Sequence, residues 1–111
     1  MMGLKACGME IRMEKLMYVM LIEKSKTYNK LTKKAVTEHV ENIRKLDDEG
    51  KLQICDVFKG YPGMAGMYIL KTDSREEAEE LCKMEPLVIG GYATYKLVTL
   101  QVANRENNYL L

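Results

Sequence analysis

The chain has 111 residues, of which 47% are apolar and 30% charged, as in a single globular domain large enough to bury one core. Its 17 basic and 16 acidic residues give a net charge of +1, so composition does not favour nucleic acid or an anionic membrane as the main partner. Three cysteines, Cys7, Cys55 and Cys82, lie far apart, which predicts reduced thiols in a cytoplasmic protein rather than a disulfide framework or a CxxC metal site.

The two ends of the chain differ from its middle. Residues 1–14 contain four methionines before any periodic pattern begins, and we expect a loosely ordered arm there. No apolar run approaches the roughly 20 residues that a membrane helix needs. We therefore predict a folded domain over residues 15–103 and a C-terminal tail over residues 104–111, with no membrane partner.

A short strand and a long helix come first. Residues 16–23 are dense in apolar side chains and bounded by a polar run, which predicts a strand buried on both faces. Residues 33–50 show helical periodicity, and Gly50 ends this helix because glycine takes the left-handed conformation without strain. The predicted inward stripe consists of Val36, Val40, Ile43 and Leu46. His39, the only histidine of the chain, lies on the same stripe.

The second helix has a clear start and stop. Ser74, with Glu77 three residues later, forms a predicted capping box. We expect the helix to end at Glu85, because the residue before Pro86 disfavours the helical conformation. Glu85 shares the inward face of this helix.

Three further strands complete the pattern. Residues 51–58 and 65–72 flank a Gly and Pro loop, which predicts a hairpin, and residues 92–103 alternate as a fourth strand. The order strand, helix, strand, strand, helix, strand predicts an α+β, ferredoxin-like βαββαβ fold. Its four-stranded antiparallel sheet carries both helices on one face. Since two strands are apolar on both sides, we expect the open sheet face to be covered in a homodimer, as in dimeric α+β barrels.

The predicted topology brings two ionisable groups together. His39 lies in the first half of its helix and Glu85 at the end of the other, and these positions fall at the same end of the domain. Burial and the C-terminal end of a helix should both raise the pKa of the Glu85 carboxyl group. A histidine next to such a carboxylate can move protons to and from a small substrate. The alternative is that His39 bonds a backbone carbonyl while Glu85 turns to solvent.

Other kinds of site have less support. A single histidine without clustered cysteines or carboxylates does not predict a metal site. The segment GYPGMAG lacks the ending of a phosphate-binding loop, and Lys59-Gly60-Tyr61 continues with Pro62 where an RNA-binding signature needs other residues. Most strand tyrosines are packing residues, so among the tyrosines the loop residue Tyr61 is the best candidate for substrate binding.

Four short motifs indicate a family. They are the His39 helix followed by Asp48-Glu49-Gly50-Lys51-Leu52, the loop Lys59-Gly60-Tyr61-Pro62, the helix start Ser74-Arg75-Glu76-Glu77-Ala78, and the step Glu85-Pro86 followed by Gly90-Gly91-Tyr92. Over residues 16–102 the sequence resembles the YciI-like proteins, also called the YCII-related domain. His39 matches the family histidine, and Glu85 takes the position of the family's aspartate.

The resemblance implies a small homodimer without metal or organic cofactor that transfers protons on a small cyclic organic compound. Elimination, isomerisation and dehydrochlorination are the implied reaction types. His39 would be the general base, Glu85 either its orienting partner or the partnering acid, and Tyr61 a hydrogen-bonding contact to the substrate. The alternative is a non-catalytic module for small-molecule binding or assembly, in which the pair is a structural bond.

Overall fold

Four strands and three helices make up the computed structural model, which describes residues 16–111. The strands are β1 (Leu16–Lys24), β2 (Leu52–Val57), β3 (Met64–Leu70) and β4 (Ala93–Gln101), and the helices are α1 (Lys33–Asp48), α2 (Arg75–Lys83) and α3 (Pro86–Ile89). Short 3-10 segments at Tyr28–Lys30 and Arg105–Leu110 follow β1 and β4. The predicted N-terminal arm and Cys7 lie outside the described residues.

The strands form one sheet in the order β2-β3-β1-β4, and every pair of neighbours is antiparallel. The central strand β1 pairs Val19 with Ile69 on one side and with Val98 on the other. This topology confirms the predicted ferredoxin-like arrangement. The loop between β1 and α1, the β2–β3 hairpin and the start of β4 therefore lie at one end of the domain, which we call the upper end.

One face of the sheet and the helices enclose the core. Alternate residues of β1 and β3 point to this side and are buried, because the side-chain period of a strand is two. The core residues are Tyr18, Met20, Ile22, Leu46, Tyr68, Leu70, Ala78, Cys82, Leu87 and Ala93. Cys82 is a free thiol in this core, and burial raises the pKa of its thiol to about 12.

The first helix begins and ends as its sequence predicts, but its buried stripe is rotated. The Thr32 side chain accepts a hydrogen bond from the Ala35 N–H at the start, and Gly50 has a left-handed φ of 71° just beyond the end. Val36 and Val40, predicted to point inward, are 44% and 42% exposed. Ala35 is buried instead, since its small side chain lets α1 lie close to α3.

The second helix is shorter than predicted. The Ser74 hydroxyl accepts a hydrogen bond from the Glu77 N–H, as expected, but α2 ends at Lys83. A separate one-turn helix, α3, begins at Pro86, where the fixed φ of proline suits the first helical position. The prediction that Glu85 ends the second helix is therefore wrong. Glu85 is the N-cap of α3.

The other sheet face is open in the single chain. Its middle is a row of apolar side chains that crosses all four strands, formed by Ile54, Ile69, Val19 and Val98. Ile54 and Val98 are exposed, so the face retains apolar surface in contact with solvent. Within residues 16–111, no helix is long and apolar enough to cross a membrane.

Candidate functional site

The carboxylate of Glu85 is fully buried and takes three hydrogen bonds. His39 Nδ1 lies 2.9 Å from Oε2, the Leu87 N–H donates to the same oxygen at 2.9 Å, and the Tyr68 hydroxyl donates to Oε1 at 2.5 Å. The bond from Leu87 is the N-cap bond of α3, so helix capping fixes the carboxylate in place. Every partner of this buried group is a hydrogen-bond donor, which suits an ionised carboxylate.

The ionised state also follows from the balance of effects on its pKa. Burial raises the pKa of Glu85, but the hydrogen bonds from His39, Leu87 and Tyr68 outweigh it and hold the pKa below the ordinary value. The predicted rise is therefore wrong. Its premise was a carboxylate at a helix C-terminus, whereas Glu85 lies at the start of α3, where a backbone N–H donates to it.

The helix α1 presents His39 to this carboxylate. His39 lies four residues after the buried Ala35 and seven before the buried Leu46, so it shares their face. Because Glu85 accepts at Oε2, Nδ1 carries the hydrogen that it donates, and this defines the tautomer of the neutral ring. Nε2 then has a free lone pair. The His39 side chain is 22% exposed, which leaves the ring accessible from solvent.

Tyr68 is the third member of the site. It lies on the helix-facing side of β3, and its ring is roughly parallel to the His39 imidazole, with 6.4 Å between ring centroids. Its hydroxyl is 3.3 Å from His39 Nδ1. Burial and the neighbouring Glu85 carboxylate raise the pKa of Tyr68 far above its ordinary value, so the hydroxyl keeps its proton and acts as a donor.

Cys55 adjoins the same group from the edge strand β2. It pairs directly with Tyr68 and packs against the core cluster while remaining partly exposed. Burial and the negative charges of Asp56 and Glu85 raise the pKa of the Cys55 thiol, so it is protonated at neutral pH. Cys55 is therefore a weakly polar wall of the site rather than a thiolate.

The structure brings together two of the three residues predicted from sequence. His39 and Glu85 are in direct contact, whereas Tyr61 is 60% exposed and packs its ring against Phe58, with 5.7 Å between ring centroids. Tyr61 lies in the β2–β3 hairpin loop at the upper end, the end at which α1 also begins, and its role as a substrate contact stays a prediction.

Sequence reasoning missed two neighbours of the pair, Tyr68 and Cys55. The strand of Tyr68 is apolar on both sides, so no polar residue marks the side that faces the helices, and nothing in the sequence distinguishes Cys55 from a packing residue. A usable signal was the need of a buried carboxylate for donors, since a tyrosine on the helix-facing side of β3 can supply one. Among residues 16–111, no group of three His, Cys, Asp or Glu side chains is arranged to hold a metal ion.

Comparison with known proteins gives a likeness of fold. No protein-family model matches the chain, and no curated protein matches it in sequence. A solved structure of 5-chloro-2-hydroxyhydroquinone dehydrochlorinase (TftG) from Burkholderia phenoliruptrix AC1100, in complex with 2,5-dihydroxybenzoquinone, is similar. The TM-score is 0.62 at 12% identity, and the match covers 83% of this chain and 99% of that chain. The chain thus shares the α+β, ferredoxin-like fold of this dehydrochlorinase.

Proposed function

We propose that this chain is a cofactor-independent acid/base enzyme of the YciI-like kind, acting on a small cyclic organic compound. The observation that carries the proposal is the 2.9 Å contact between His39 Nδ1 and the fully buried Glu85 carboxylate. The imidazole ring of His39 is itself partly exposed. A carboxylate that fixes the tautomer of a solvent-accessible imidazole is the arrangement of a general base. The similar fold of a dehydrochlorinase favours dehydrochlorination among the eliminations and isomerisations that such a pair can perform.

The reaction then runs through His39 Nε2. This nitrogen takes a proton from an O–H or C–H group of the substrate, and the electron pair left behind forms a new double bond. In a dehydrochlorination the C–Cl bond breaks and its electron pair leaves with chloride. The net reaction is the loss of H⁺ and Cl⁻ from the substrate. Glu85 stabilises the imidazolium, which returns its proton to water, and Tyr68 holds Glu85 in place. We propose that Tyr61, at the upper end, forms a hydrogen bond with the substrate.

The open sheet face is the proposed homodimer interface. The row that crosses the four strands is apolar in every strand, and its two ends, Ile54 and Val98, are exposed in the single chain, where a second copy would cover them. A second copy presents the same surface, so the two faces are self-complementary about a twofold axis. The site lies on the opposite, helix-covered side, and each protomer therefore keeps its own His39 and Glu85.

Turnover tests the proposal directly. Chloride release from 5-chloro-2-hydroxyhydroquinone, the substrate that names the similar dehydrochlorinase, is measured with the wild type and with His39→Gln, Glu85→Gln and Glu41→Gln. We expect the His39 variant to lose roughly 10²–10⁴-fold in rate, the typical contribution of a general base. The exposed Glu41 on α1 is the matched control and keeps the wild-type rate. Equal rates for all four proteins would exclude the pair from the chemistry.

The tautomer is a second test that needs no substrate. His39 is the only histidine, so its two ring nitrogens are assigned without ambiguity in a ¹⁵N spectrum of the protein labelled at histidine. At alkaline pH we expect hydrogen on Nδ1 in the wild type and a shift of hydrogen toward Nε2 in Glu85→Gln. A folded protein with this tautomer but without turnover on chlorinated or other cyclic substrates would leave the non-catalytic binding module as the better description.

A further inference from the structure

Exposed lysines surround the upper end of the domain. They are Lys24, Lys26, Lys30, Lys33, Lys34 and Lys59. The first five fall within residues 24–34, and no aspartate or glutamate occurs in that stretch. Among residues 16–111, none of the six forms an ion pair with a carboxylate. A net charge of only +1 for the whole chain therefore conceals a strongly cationic end.

The acidic side chains nearest to this end are directed elsewhere. Glu23 lies on the open sheet face, where its Oε2 is 3.4 Å from Lys96 Nζ, and Asp56 pairs with Met67 on that same face. Glu38 lines the groove between α1 and α3, on the flank of α1 away from β2. Near its start, the flank of α1 that faces β2 therefore carries Lys33 and no carboxylate.

An apolar surface adjoins the exposed edge of His39. Val36 and Val40 occupy the flank of α1 opposite the α3 groove, which is the flank that faces β2. Val57 lies on the helix-facing side of β2, two residues beyond Cys55, and is 77% exposed. These three exposed valines, two on α1 beside His39 in sequence and one on β2, provide apolar surface for a ring or short chain on the helix-covered side.

Two of the lysines are close enough to act on a molecule in this position. Lys33 precedes His39 by six residues, which corresponds to about 9 Å along the helix axis. Lys59 follows Val57, the last residue of β2, by two residues and therefore lies within about 7 Å of it. Both distances are near the screening length of about 8 Å in physiological salt, so each charge is felt at the site.

We propose that the site binds organic carboxylates, with the apolar body against Val36, Val40 and Val57 and the carboxylate toward Lys33 and Lys59. This inference builds on the proposed function, because it names the substrate class of the same site. Its binding step is independent of turnover, however, and can be measured with an unreactive ligand. The buried Glu85 carboxylate repels an anionic ligand. The positive charges of the lysines offset this repulsion.

Binding of benzoate and of its neutral analogue benzamide tests the proposal. The ligands are titrated into ¹⁵N-labelled protein while the His39 ring and the backbone amides are observed. We expect benzoate to shift the His39 signals and to bind more weakly as salt increases, and benzamide to bind at least about fivefold more weakly. Inorganic phosphate, an anion without an apolar body, should not displace benzoate at equal concentration.

A pair of double variants with the same charge change separates local from overall charge. At low ionic strength, Lys33→Gln with Lys59→Gln should weaken benzoate binding about fivefold, the unscreened effect of two charges about 9 Å away in water, and the effect should fall to about twofold in physiological salt. Lys45→Gln with Lys71→Gln removes two exposed lysines far from the upper end and should leave binding unchanged. The amide spectra show whether each variant is folded.

Three results would overturn the inference: equal binding of benzamide, equal effects of the two double variants, or His39 signals that neither ligand moves. Failure of the proposed function looks different. In that case benzoate binds as expected and no substrate is turned over. Turnover together with equal binding of benzoate and benzamide would instead retain the enzyme and reject the carboxylate.

Discussion

Glutamine in place of Glu85 removes one negative charge from a fully buried position and nearly preserves the shape of the side chain. The carboxylate accepts from His39 Nδ1, the Tyr68 hydroxyl and the Leu87 N–H. A glutamine side chain has one acceptor oxygen, so at least one of these donors meets an NH₂ group instead. The two bonds that remain are no longer assisted by charge.

The size of the effect follows from these contacts. A hydrogen bond to a charged group contributes about 1.5–3 kcal/mol, compared with about 1 kcal/mol for a neutral one. Reversal or loss of one bond and weakening of the other two lead us to expect a decrease of about 2–4 kcal/mol in the free energy of unfolding of Glu85→Gln at pH 7. The exposed control Glu41→Gln should stay within about 0.5 kcal/mol of the wild type.

The pH dependence has a defined sign. Because the pKa of Glu85 is lower in the folded protein than its ordinary value of 4.5, the unfolded chain binds more protons, and stability rises with pH in this range. The contribution of Glu85 is therefore complete above pH 4.5 and is lost as the pH falls through the folded value. The difference between wild type and Glu85→Gln should shrink accordingly in acid.

Urea unfolding followed by circular dichroism measures both effects, with all proteins at one concentration and at a series of pH values from 7 downward. A Glu85→Gln variant as stable as Glu41→Gln would refute the hydrogen-bonded, ionised carboxylate. So would a loss of stability that stays constant from neutral pH into acid, because it would have no connection with the charge.

Three other substitutions test neighbouring parts of the structure. Tyr68→Phe leaves a carboxylate oxygen without its donor and should lower the free energy of unfolding by about 1–3 kcal/mol in the same urea experiment. Ile69→Glu places a charge in the middle of the open sheet face and should convert the proposed dimer into a monomer in sedimentation. The control Val57→Glu, on the opposite side of the sheet, should remain dimeric. A monomeric wild type would reject the interface. Gly66→Ala brings a Cβ into overlap with the Asp56 carbonyl oxygen and should destabilise the fold by about 1–3 kcal/mol in thermal unfolding.

The sequence was sufficient for the order of the elements and for the meeting of His39 and Glu85. Both depend on coarse signals, namely periodicity, helix termini and the handed connection rules, and an error of two residues in an element boundary does not alter them. The contact between the two groups follows from the end of the domain at which each lies, so it survived the wrong end of α2.

The sequence did not predict the end of the second helix or the buried face of α1, because in each case it fits two structures equally well. Pro86 both stops one helix and starts another, and the change from helix end to helix cap reverses the direction of the Glu85 pKa shift. Val36 and Val40 form as good an apolar stripe as the one that is buried, but Ala35 is small enough to face α3. The choice between stripes one residue apart depends on packing between elements, which periodicity does not encode.

The Leu87 N–H gives the assembly of the site a measurable reporter. This one amide donates to the oxygen that also accepts from His39, so an opening of the four-residue helix α3 that frees the amide removes the backbone bond that fixes this oxygen. Hydrogen exchange at Leu87 therefore measures how often this cap of α3 opens, at a single residue of the site and without a substrate. If that opening is more frequent than unfolding of the sheet, the fraction of molecules with an intact site is set by a single turn of helix rather than by the stability of the whole domain.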